Sequence, residues 1–174
     1  MNMQITVFGA SGKVGQHVVS IALSAGYEVV AFVHSHNPFE EHERLKIITG
    51  DVNDAVAVAN AVAGSEAVIS ALGSWGTKQK NILSEGMKAI IPAMEASGSK
   101  RLITLTGSGA VWSGDKLTLV DKSSHVFIAL LARKILLDSE DHFRQLDAST
   151  LEWTCIRSPI MSKGPAKGYK LDNK

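Results

Sequence analysis

The chain has 174 residues, of which 45% are hydrophobic and 20% are charged, as in an ordinary globular domain. This composition excludes an intrinsically disordered protein and a collagen-like fibre. Eighteen basic side chains balance seventeen acidic ones, so no strong field favours nucleic acid or an anionic membrane as a partner. The single cysteine, Cys155, excludes an internal disulfide and a zinc site built from cysteines.

The two ends of the chain favour a cytoplasmic protein with a basic tail. The opening sequence MNMQITVFG lacks the basic start and the cleavage motif of a signal peptide, and no apolar run is long enough to span a membrane. Residues 159–174 carry four lysines and one aspartate, whereas residues 1–158 are slightly acidic overall. We therefore predict one domain over residues 1–158 and a solvated basic tail over residues 159–174.

Short apolar runs alternate with helical patterns along the chain. Strands are predicted at Met3–Phe8, Glu28–Val33, Leu45–Thr49, Glu66–Ala71, Arg101–Thr106 and Leu151–Arg157. Helices are predicted at 12–25, 54–63, 79–96 and 121–146, with 34–44 as a loop or a short helix. Pro92 is expected to kink or break the third helix, and the fourth helix has room for one break.

This order of elements predicts an α/β fold. Repeated strand–helix–strand units form right-handed crossovers, which indicates a doubly wound, Rossmann-like parallel sheet. We expect six strands in the order 3-2-1-4-5-6, with helices on both faces. The strands are uniformly apolar, which is typical of strands covered on both sides.

The sharpest motif lies between the first strand and the first helix, where residues 9–15 are GASGKVG. Gly9 permits a tight turn, Gly12 would let the backbone approach a pyrophosphate, and Gly15 would let the helix lie close to the sheet. The free amides and the dipole of the helix favour a phosphate at this end, near Ser11, Lys13 and Val14. The spacing G-x-x-G-x-x-G differs from the dehydrogenase motif G-x-G-x-x-G and from the P-loop. The alternative is a glycine-rich turn without a ligand.

The motif and several later segments resemble the atypical short-chain dehydrogenases/reductases, in their NAD(P)H-binding, NmrA-like branch. The later segments are Gly50-Asp51-Val52, residues 68–73 (VISALG), and residues 151–154 (LEWT) followed by Arg157-Ser158-Pro159. Within the branch, LSEGMKAIIPAMEASGSKRLI and GPAKGYKL are similar to the NADPH-dependent flavin reductases, or biliverdin IXβ reductases. Relatives usually have R-P after the sixth strand, and they continue beyond the point where this chain stops. The resemblance therefore also allows residues 159–174 to be a truncated substrate-side segment.

The resemblance implies a set of cofactor-binding residues at the ends of the strands. Asp51 and Val52 would lie beside the adenine. The alternative role of Asp51, compatible with the first, is a turn aspartate that caps the next helix, for which the sequence itself offers Asn53 or Asp54 as the cap. The backbone of Ala71, Leu72 and Gly73 would line the dinucleotide cleft. Further members of the set are Thr106 and Pro159, together with the glycine-loop residues Gly9, Ser11, Gly12, Lys13 and Val14.

The choice between NADP and NAD depends on the end of the second strand. An NAD site usually has an acidic residue there, and none occurs between Val29 and Phe39. His34 occupies the position where relatives often have an arginine for the 2′-phosphate, and an imidazole can donate a hydrogen bond there. We predict NADP, with NAD as the alternative. An ordinary exposed loop histidine is the competing interpretation of His34.

The chemistry is less well defined. Neither Tyr27 nor Tyr169 begins a Tyr-x-x-x-Lys motif, which argues against ordinary alcohol–ketone chemistry. In related flavin reductases a hydroxyl after the fifth strand faces the nicotinamide. Ser108 is the candidate for that catalytic role, and a loop-capping serine is the alternative. Lys134 is expected to pair with Asp138 one turn later.

Two tryptophans and a group of histidines bear on the kind of ligand that the protein binds. Trp75 and Trp112 follow the fourth and fifth strands and are candidate flat walls for a planar ring. The histidines at 34, 36 and 42 lack the spacing of a metal site, and none is expected. We predict an NADPH-dependent reductase of a flavin, a quinone or a similar small planar acceptor. The alternative is a non-catalytic NADP(H) redox sensor that acts through protein partners. The oligomeric state is left open.

Overall fold

The computed structural model describes residues 3–74, 77–116 and 118–158, which form a single six-stranded parallel sheet with four helices. The strands are β1 (Gln4–Phe8), β2 (Glu28–Val33), β3 (Leu45–Thr49), β4 (Ala67–Ser70), β5 (Arg101–Gly107) and β6 (Glu152–Ser158). The helices are α1 (Lys13–Ser24), α2 (Ala55–Val62), α3 (Ile82–Ser97) and α4 (Leu119–Ala148). The strand order is β3-β2-β1-β4-β5-β6, with every pair parallel. The predicted fold class and strand order are confirmed.

Helices cover both faces of the sheet, as predicted. Successive residues of β1 and β2 belong to two separate hydrophobic clusters, because side chains alternate across a strand. Phe8 and Phe32 pack with α2, α3 and the second half of α4, whereas Val7 and Ala31 pack with α1. Both central strands are therefore buried on both sides, which explains their uniformly apolar sequences.

The outer strands depart from that expectation. In β5 the residues Leu102, Thr104 and Thr106 are buried, but their neighbours are only partly buried, and Ile156 in β6 is 47% exposed. Among the side chains that the structure describes, the helix residues in the core on that face come from α1, which contacts β1 and β2. Among the described side chains, β5 and β6 are therefore less covered on this face than the central strands.

The helices show the cap and one of the two breaks that the sequence predicted. The Asp54 carboxylate accepts hydrogen bonds from the amides of Val56 and Ala57 at 2.9 and 3.2 Å, so it caps α2. The predicted break in the long helix occurs at Ala132, whose backbone angles (φ −140°, ψ 39°) are not helical. No break occurs at Pro92, which lies inside a continuous α3. Since Pro92 is exposed, the carbonyl it leaves without a helical partner lies on the side of α3 that water reaches.

The connection from β2 to β3 is a loop and not a helix. Within the described ranges, no helix combines the length and the apolarity needed to cross a membrane.

Candidate functional site

The parallel sheet collects the candidate residues at one edge. All six strands run in the same direction, so their carboxyl ends meet at the same edge of the sheet. The described residues brought to that edge are Gly9, Ser11, Gly12, Lys13 and Val14 after β1, His34 after β2, Asp51 and Val52 after β3, Ala71, Leu72 and Gly73 after β4, and Thr106 and Ser108 at the end of β5. Pro159 lies outside the described residues. The sequence therefore selected residues from five different strand ends that share one edge.

Gly9 allows the turn after β1 to lie directly against the end of β4. Its φ is +69°, in the left-handed region that favours glycine. A Cβ on Gly9 would lie 2.9 Å from backbone atoms of both Ala71 and Leu72. The Ala71 amide also donates a hydrogen bond to the Phe8 carbonyl at 2.9 Å. Any side chain at position 9 would therefore push these two strand ends apart.

The other two glycines of the motif differ in what surrounds them. A Cβ on Gly15 would lie 2.2 Å from the Gly9 carbonyl oxygen, so Gly15 lets α1 pack tightly on the loop. A Cβ on Gly12 would meet only that same oxygen, at 3.2 Å. The side of Gly12 on which a Cβ would lie is therefore open, whereas that side of Gly15 is filled by protein backbone.

The start of α1 provides amide groups without a side-chain cap. Gly12 is the N-cap residue and has no side chain, and the first turn contains no acidic residue. Lys13 is exposed beside these amides. The Gln16 side chain donates a hydrogen bond to the Ser11 carbonyl at 2.7 Å and ties the loop to the helix. The helix dipole and the free amides make this end attractive to an anion. Gln16 is a loop-stabilising residue that the glycine pattern does not reveal.

At the same carboxyl edge, beyond the ends of the neighbouring strands β2 and β3, the side chains of His34 and Asp51 face each other. The His34 Nε2 lies 3.5 Å from the Asp51 Oδ2, and both side chains are largely exposed. Asn53 donates to the other carboxylate oxygen from its backbone amide at 2.9 Å and from its side chain at 2.7 Å. The backbone hydrogen bond from Asn53 is the main cause that lowers the pKa of Asp51, and His34 adds to it. Asp51 thus stays an acceptor, with one oxygen directed toward the imidazole.

The structure limits what Val52 and Thr106 can offer a ligand. The Val52 side chain is buried in the core and packs near the position of Gly86, so only its backbone faces the edge. Thr106 is also buried, and its hydroxyl has no hydrogen-bond partner among the described residues.

Ser108 is the exposed hydroxyl at the end of β5. Its backbone amide donates to the Ser158 carbonyl at 2.9 Å, so its position is fixed between β5 and β6. The loop is therefore held by the backbone of Ser108, and the hydroxyl is left to the solvent side.

Trp112 does not form the predicted wall. The loop after β5 folds back along the sheet, so the Trp112 ring packs edge-on against Trp153 with ring centres 5.9 Å apart. Trp153 pairs with Leu102 near the start of β5, far from the carboxyl edge. The indole N–H donates to the Asp147 carboxylate at 2.8 Å. The proposed wall role of Trp112 is therefore wrong, and Trp75 lies outside the described residues.

The same loop is fixed by an ion pair that the sequence did not suggest. Both terminal nitrogens of Arg157, near the end of β6, donate to the Asp115 carboxylate, one of them at 2.8 Å. The guanidinium also lies over the Phe143 ring, 5.8 Å from its centre. A two-point arginine–carboxylate contact fixes orientation as well as distance. The loop that carries Ser108 is thus attached to β6 at two places.

Asp138 is a buried carboxylate that connects α4 to the neighbouring elements. It accepts hydrogen bonds from the amides of Leu83 and Ser84 at 3.2 and 2.8 Å, and from the Ser84 hydroxyl at 2.7 Å. The Ser74 hydroxyl, just beyond β4, donates to it as well. The predicted pairing of Asp138 with Lys134 is therefore wrong, because the carboxylate points inward. No local pattern could have revealed this, since its donors are more than fifty residues away in the chain.

Two further reactive groups lie away from the edge. Burial raises the pKa of the Cys155 thiol to about 11, so this cysteine is a poor nucleophile. Tyr27 precedes β2 and so lies at the opposite edge of the sheet. Within the described part of the chain, no three His, Cys, Asp or Glu side chains come together as a metal site.

The chain belongs to the NAD(P)H-binding family, whose profile matches residues 9–174. This finding confirms the resemblance that the glycine motif suggested. The chain is 26% identical over 132 residues to a 3-beta-hydroxysteroid dehydrogenase of Mycolicibacterium neoaurum, covering 69% of this chain and 36% of that protein. It is 35% identical over 108 residues to a 2-alkyl-3-oxoalkanoate reductase of Stenotrophomonas maltophilia, covering 58% of this chain and 32% of that protein. The matched region thus spans about a third of each relative.

Solved structures share the fold. A short-chain dehydrogenase/reductase of Veillonella parvula in complex with NADP superposes with a TM-score of 0.70 at 21% identity, covering 90% of this chain and 69% of that one. ChuY, an anaerobilin reductase of Escherichia coli O157:H7, gives a TM-score of 0.67 at 23% identity, with coverage of 89% and 72%.

The burial of His142 predicts that acid lowers the stability of this fold. It is 1% exposed, and neither ring nitrogen has a hydrogen-bond partner among the described residues. Burial lowers its pKa to about 4 from 6.5, although the Asp138 charge opposes this. The unfolded chain therefore binds the proton first, and the free energy of unfolding should fall by about 3 kcal/mol between pH 6.5 and pH 4.

Urea denaturation across this pH range checks the prediction. His142→Phe, which keeps an aromatic ring at the position, should have a much flatter profile in the same window. Equal pH dependence of the two proteins would contradict the assignment to His142.

Proposed function

We propose that this protein is a cytoplasmic NADPH-dependent reductase that acts on a planar acceptor such as a flavin or a quinone. The observation that carries the proposal is the open side of Gly12 beside the uncapped amides at the start of α1. This is the space that a pyrophosphate needs between a first strand and a first helix. Membership of the NAD(P)H-binding family supports the same ligand.

The residues at the edge fit the two halves of a dinucleotide. In this topology the adenosine half lies over the ends of β1, β2 and β3, and the nicotinamide half lies over β4, β5 and β6. His34 and Asp51 would then border the adenosine ribose, and Ser108 would border the nicotinamide. The backbone of residues 71–73 would form the wall between the halves. The bound cofactor would supply the hydride, and water would supply the accompanying proton.

The protein's own contribution in this proposal is orientation. Hydride transfer between two flat rings needs close stacking and little proton chemistry, so it does not require a Tyr-x-x-x-Lys pair. The Ser108 hydroxyl is free to donate a hydrogen bond to the acceptor and to polarise it. The fixed backbone of its loop, attached to Ser158 and through Asp115 to Arg157, favours such a precise role.

NADP is preferred over NAD in this proposal because of His34. A protonated or donating imidazole can bind a 2′-phosphate, and Asp51 already directs one oxygen to that imidazole. The Asp51 carboxylate would otherwise repel the phosphate. In this proposal the two residues act as a pair, in which the His34 imidazole lies between the Asp51 carboxylate and the 2′-phosphate as a hydrogen-bond donor.

Substitutions of Gly12 and Gly15 are expected to differ in whether they lower only the affinity for NADPH or also the stability of the fold. Gly12→Val should keep the fold, because a Cβ there meets a single atom within 4 Å, the Gly9 carbonyl oxygen at 3.2 Å, which a small shift relieves, but it should weaken NADPH binding by about 100-fold or more. Gly15→Val should lose thermal stability as well, because its Cβ would overlap the loop backbone. Calorimetric titration with NADPH and a thermal melt of each variant separate the two effects. Unchanged affinity in Gly12→Val would contradict the proposed phosphate site.

His34 should affect only the phosphorylated cofactor. His34→Ala is expected to weaken NADPH binding by about tenfold, the loss of one charge-assisted hydrogen bond, and to leave NADH binding unchanged. His36→Ala, an exposed imidazole two residues further on, is the matched control. Dissociation constants for both cofactors test this, and a wild-type protein that binds NADH tenfold more tightly than NADPH would contradict the preference.

Turnover distinguishes the reductase from a redox sensor. Steady oxidation of NADPH is expected when a flavin or a quinone is added, and Ser108→Ala should lower kcat by about tenfold without changing the dissociation constant of NADPH. Tight NADPH binding without turnover on any planar acceptor would contradict the reductase proposal. It would favour the sensor, which the missing Tyr-x-x-x-Lys motif also allows.

A further inference from the structure

Asp138 joins three elements that meet beside the wall of the cofactor cleft. Its side chain is buried, and it accepts hydrogen bonds from the first turn of α3 and from Ser74. The amides of Leu83 and Ser84 are at the N-terminal end of α3, where the helix dipole favours a negative charge. The carboxylate is therefore fixed in place by α3, independently of its bond to Ser74.

The hydrogen bond from the Ser74 hydroxyl anchors the segment after β4 to this fixed carboxylate. Ser74 is 1% exposed, and it follows directly on residues 71–73. The backbone at the start of that segment packs against Gly9, and the Leu72 side chain packs against α3, where a Cβ on Gly86 would lie 2.6 Å from its Cδ1. Residues 71–74 are thus held from three sides, by the glycine loop, by α3 and by the Asp138 carboxylate.

Of these three supports, the Asp138 carboxylate is the one that comes from α4, the helix that follows β5 in the sequence. The Asp138 bond spans 64 residues and links α4 to the loop. The Ser84 hydroxyl donates to the same carboxylate but belongs to α3, which is not part of the wall. The two serines therefore differ in what their hydroxyls hold, although they share one acceptor.

We propose that Asp138 is a positioning residue for the nicotinamide half of the cofactor, acting through Ser74 on residues 71–74. The inference rests on the proposed function, since it assigns this segment to the cofactor cleft. It predicts a selective effect. The adenosine half of the ligand lies over β1 to β3, beyond the reach of the Ser74 bond, so a defect in this bond is felt only when the nicotinamide half is present.

The experiment compares Ser74→Ala with Ser84→Ala, each of which removes one hydroxyl from the same carboxylate. The ligands are NADPH and adenosine 2′,5′-bisphosphate, which contains the adenosine half without the nicotinamide. Ser74→Ala is expected to raise the dissociation constant of NADPH by about tenfold and to leave that of the bisphosphate within about twofold of wild type. Ser84→Ala is expected to leave both constants unchanged, although both variants lower the melting temperature.

The outcomes separate this inference from the proposed function. Wild-type binding of NADPH that Ser74→Ala leaves intact would overturn the positioning role alone. An equal loss of NADPH affinity in both serine variants, or a parallel loss for the bisphosphate, would also overturn it, because a general loosening of the fold would then explain the data. A wild-type protein that binds neither ligand would overturn the proposed function and this inference with it.

Discussion

The close approach of two backbones, at the turn after β1 and the end of β4, is the constraint on which the site depends. Gly9 makes this approach sterically possible, since any Cβ there would collide with Ala71 and Leu72. Gly15 likewise allows a close backbone contact on the other side of the turn, where α1 packs on the loop. The result is a strand, a tight turn and a helix start held in fixed relation to the next strand of the sheet. Free amides at the helix start are useful to a ligand only when they are held in this way.

The rest of the edge is stabilised by contacts that differ in kind. On one side, the exposed side chains of His34 and Asp51 form a surface that a ligand can rearrange. On the other side, two sets of contacts fix the loops: the partly buried, two-point Arg157–Asp115 pair and the buried Asp138 cluster. This asymmetry corresponds to the two tasks of the proposed reductase. Recognition of a charged adenosine half tolerates mobile side chains, whereas alignment of two rings for hydride transfer requires a rigid frame.

Much of the fold was predictable because its signals are local. The bounds of β2 and β3 follow from short apolar runs closed by polar or glycine residues, and the cap at Asp54 follows from one side chain before an apolar run. The carboxyl edge followed from the parallel order alone, and the described candidate residues lie at that edge. The break that was one expected effect of Pro92 does not occur, and this could not be predicted because the exposure of Pro92, which determines the cost of the missing hydrogen bond, depends on how α3 packs.

The features that sequence patterns missed all depend on tertiary contacts. Asp138 looks like a surface residue with a lysine one turn away, and only the packing of α3 against α4 turns it inward. Trp112 follows β5 in the chain, but its loop returns along the sheet and places the ring beside Trp153. In both cases the deciding partner is far away in the sequence. The roles of the edge residues toward a cofactor stay predictions.

A crystal structure with NADPH tests the central claim most directly. The account predicts a pyrophosphate within hydrogen-bond distance of the amides of Lys13 and Val14, since the Gly12 amide already donates to the Gly9 carbonyl, with the adenosine ribose beside His34. A pyrophosphate bound elsewhere on the protein, or a cleft without ligand density at saturating NADPH, would contradict it.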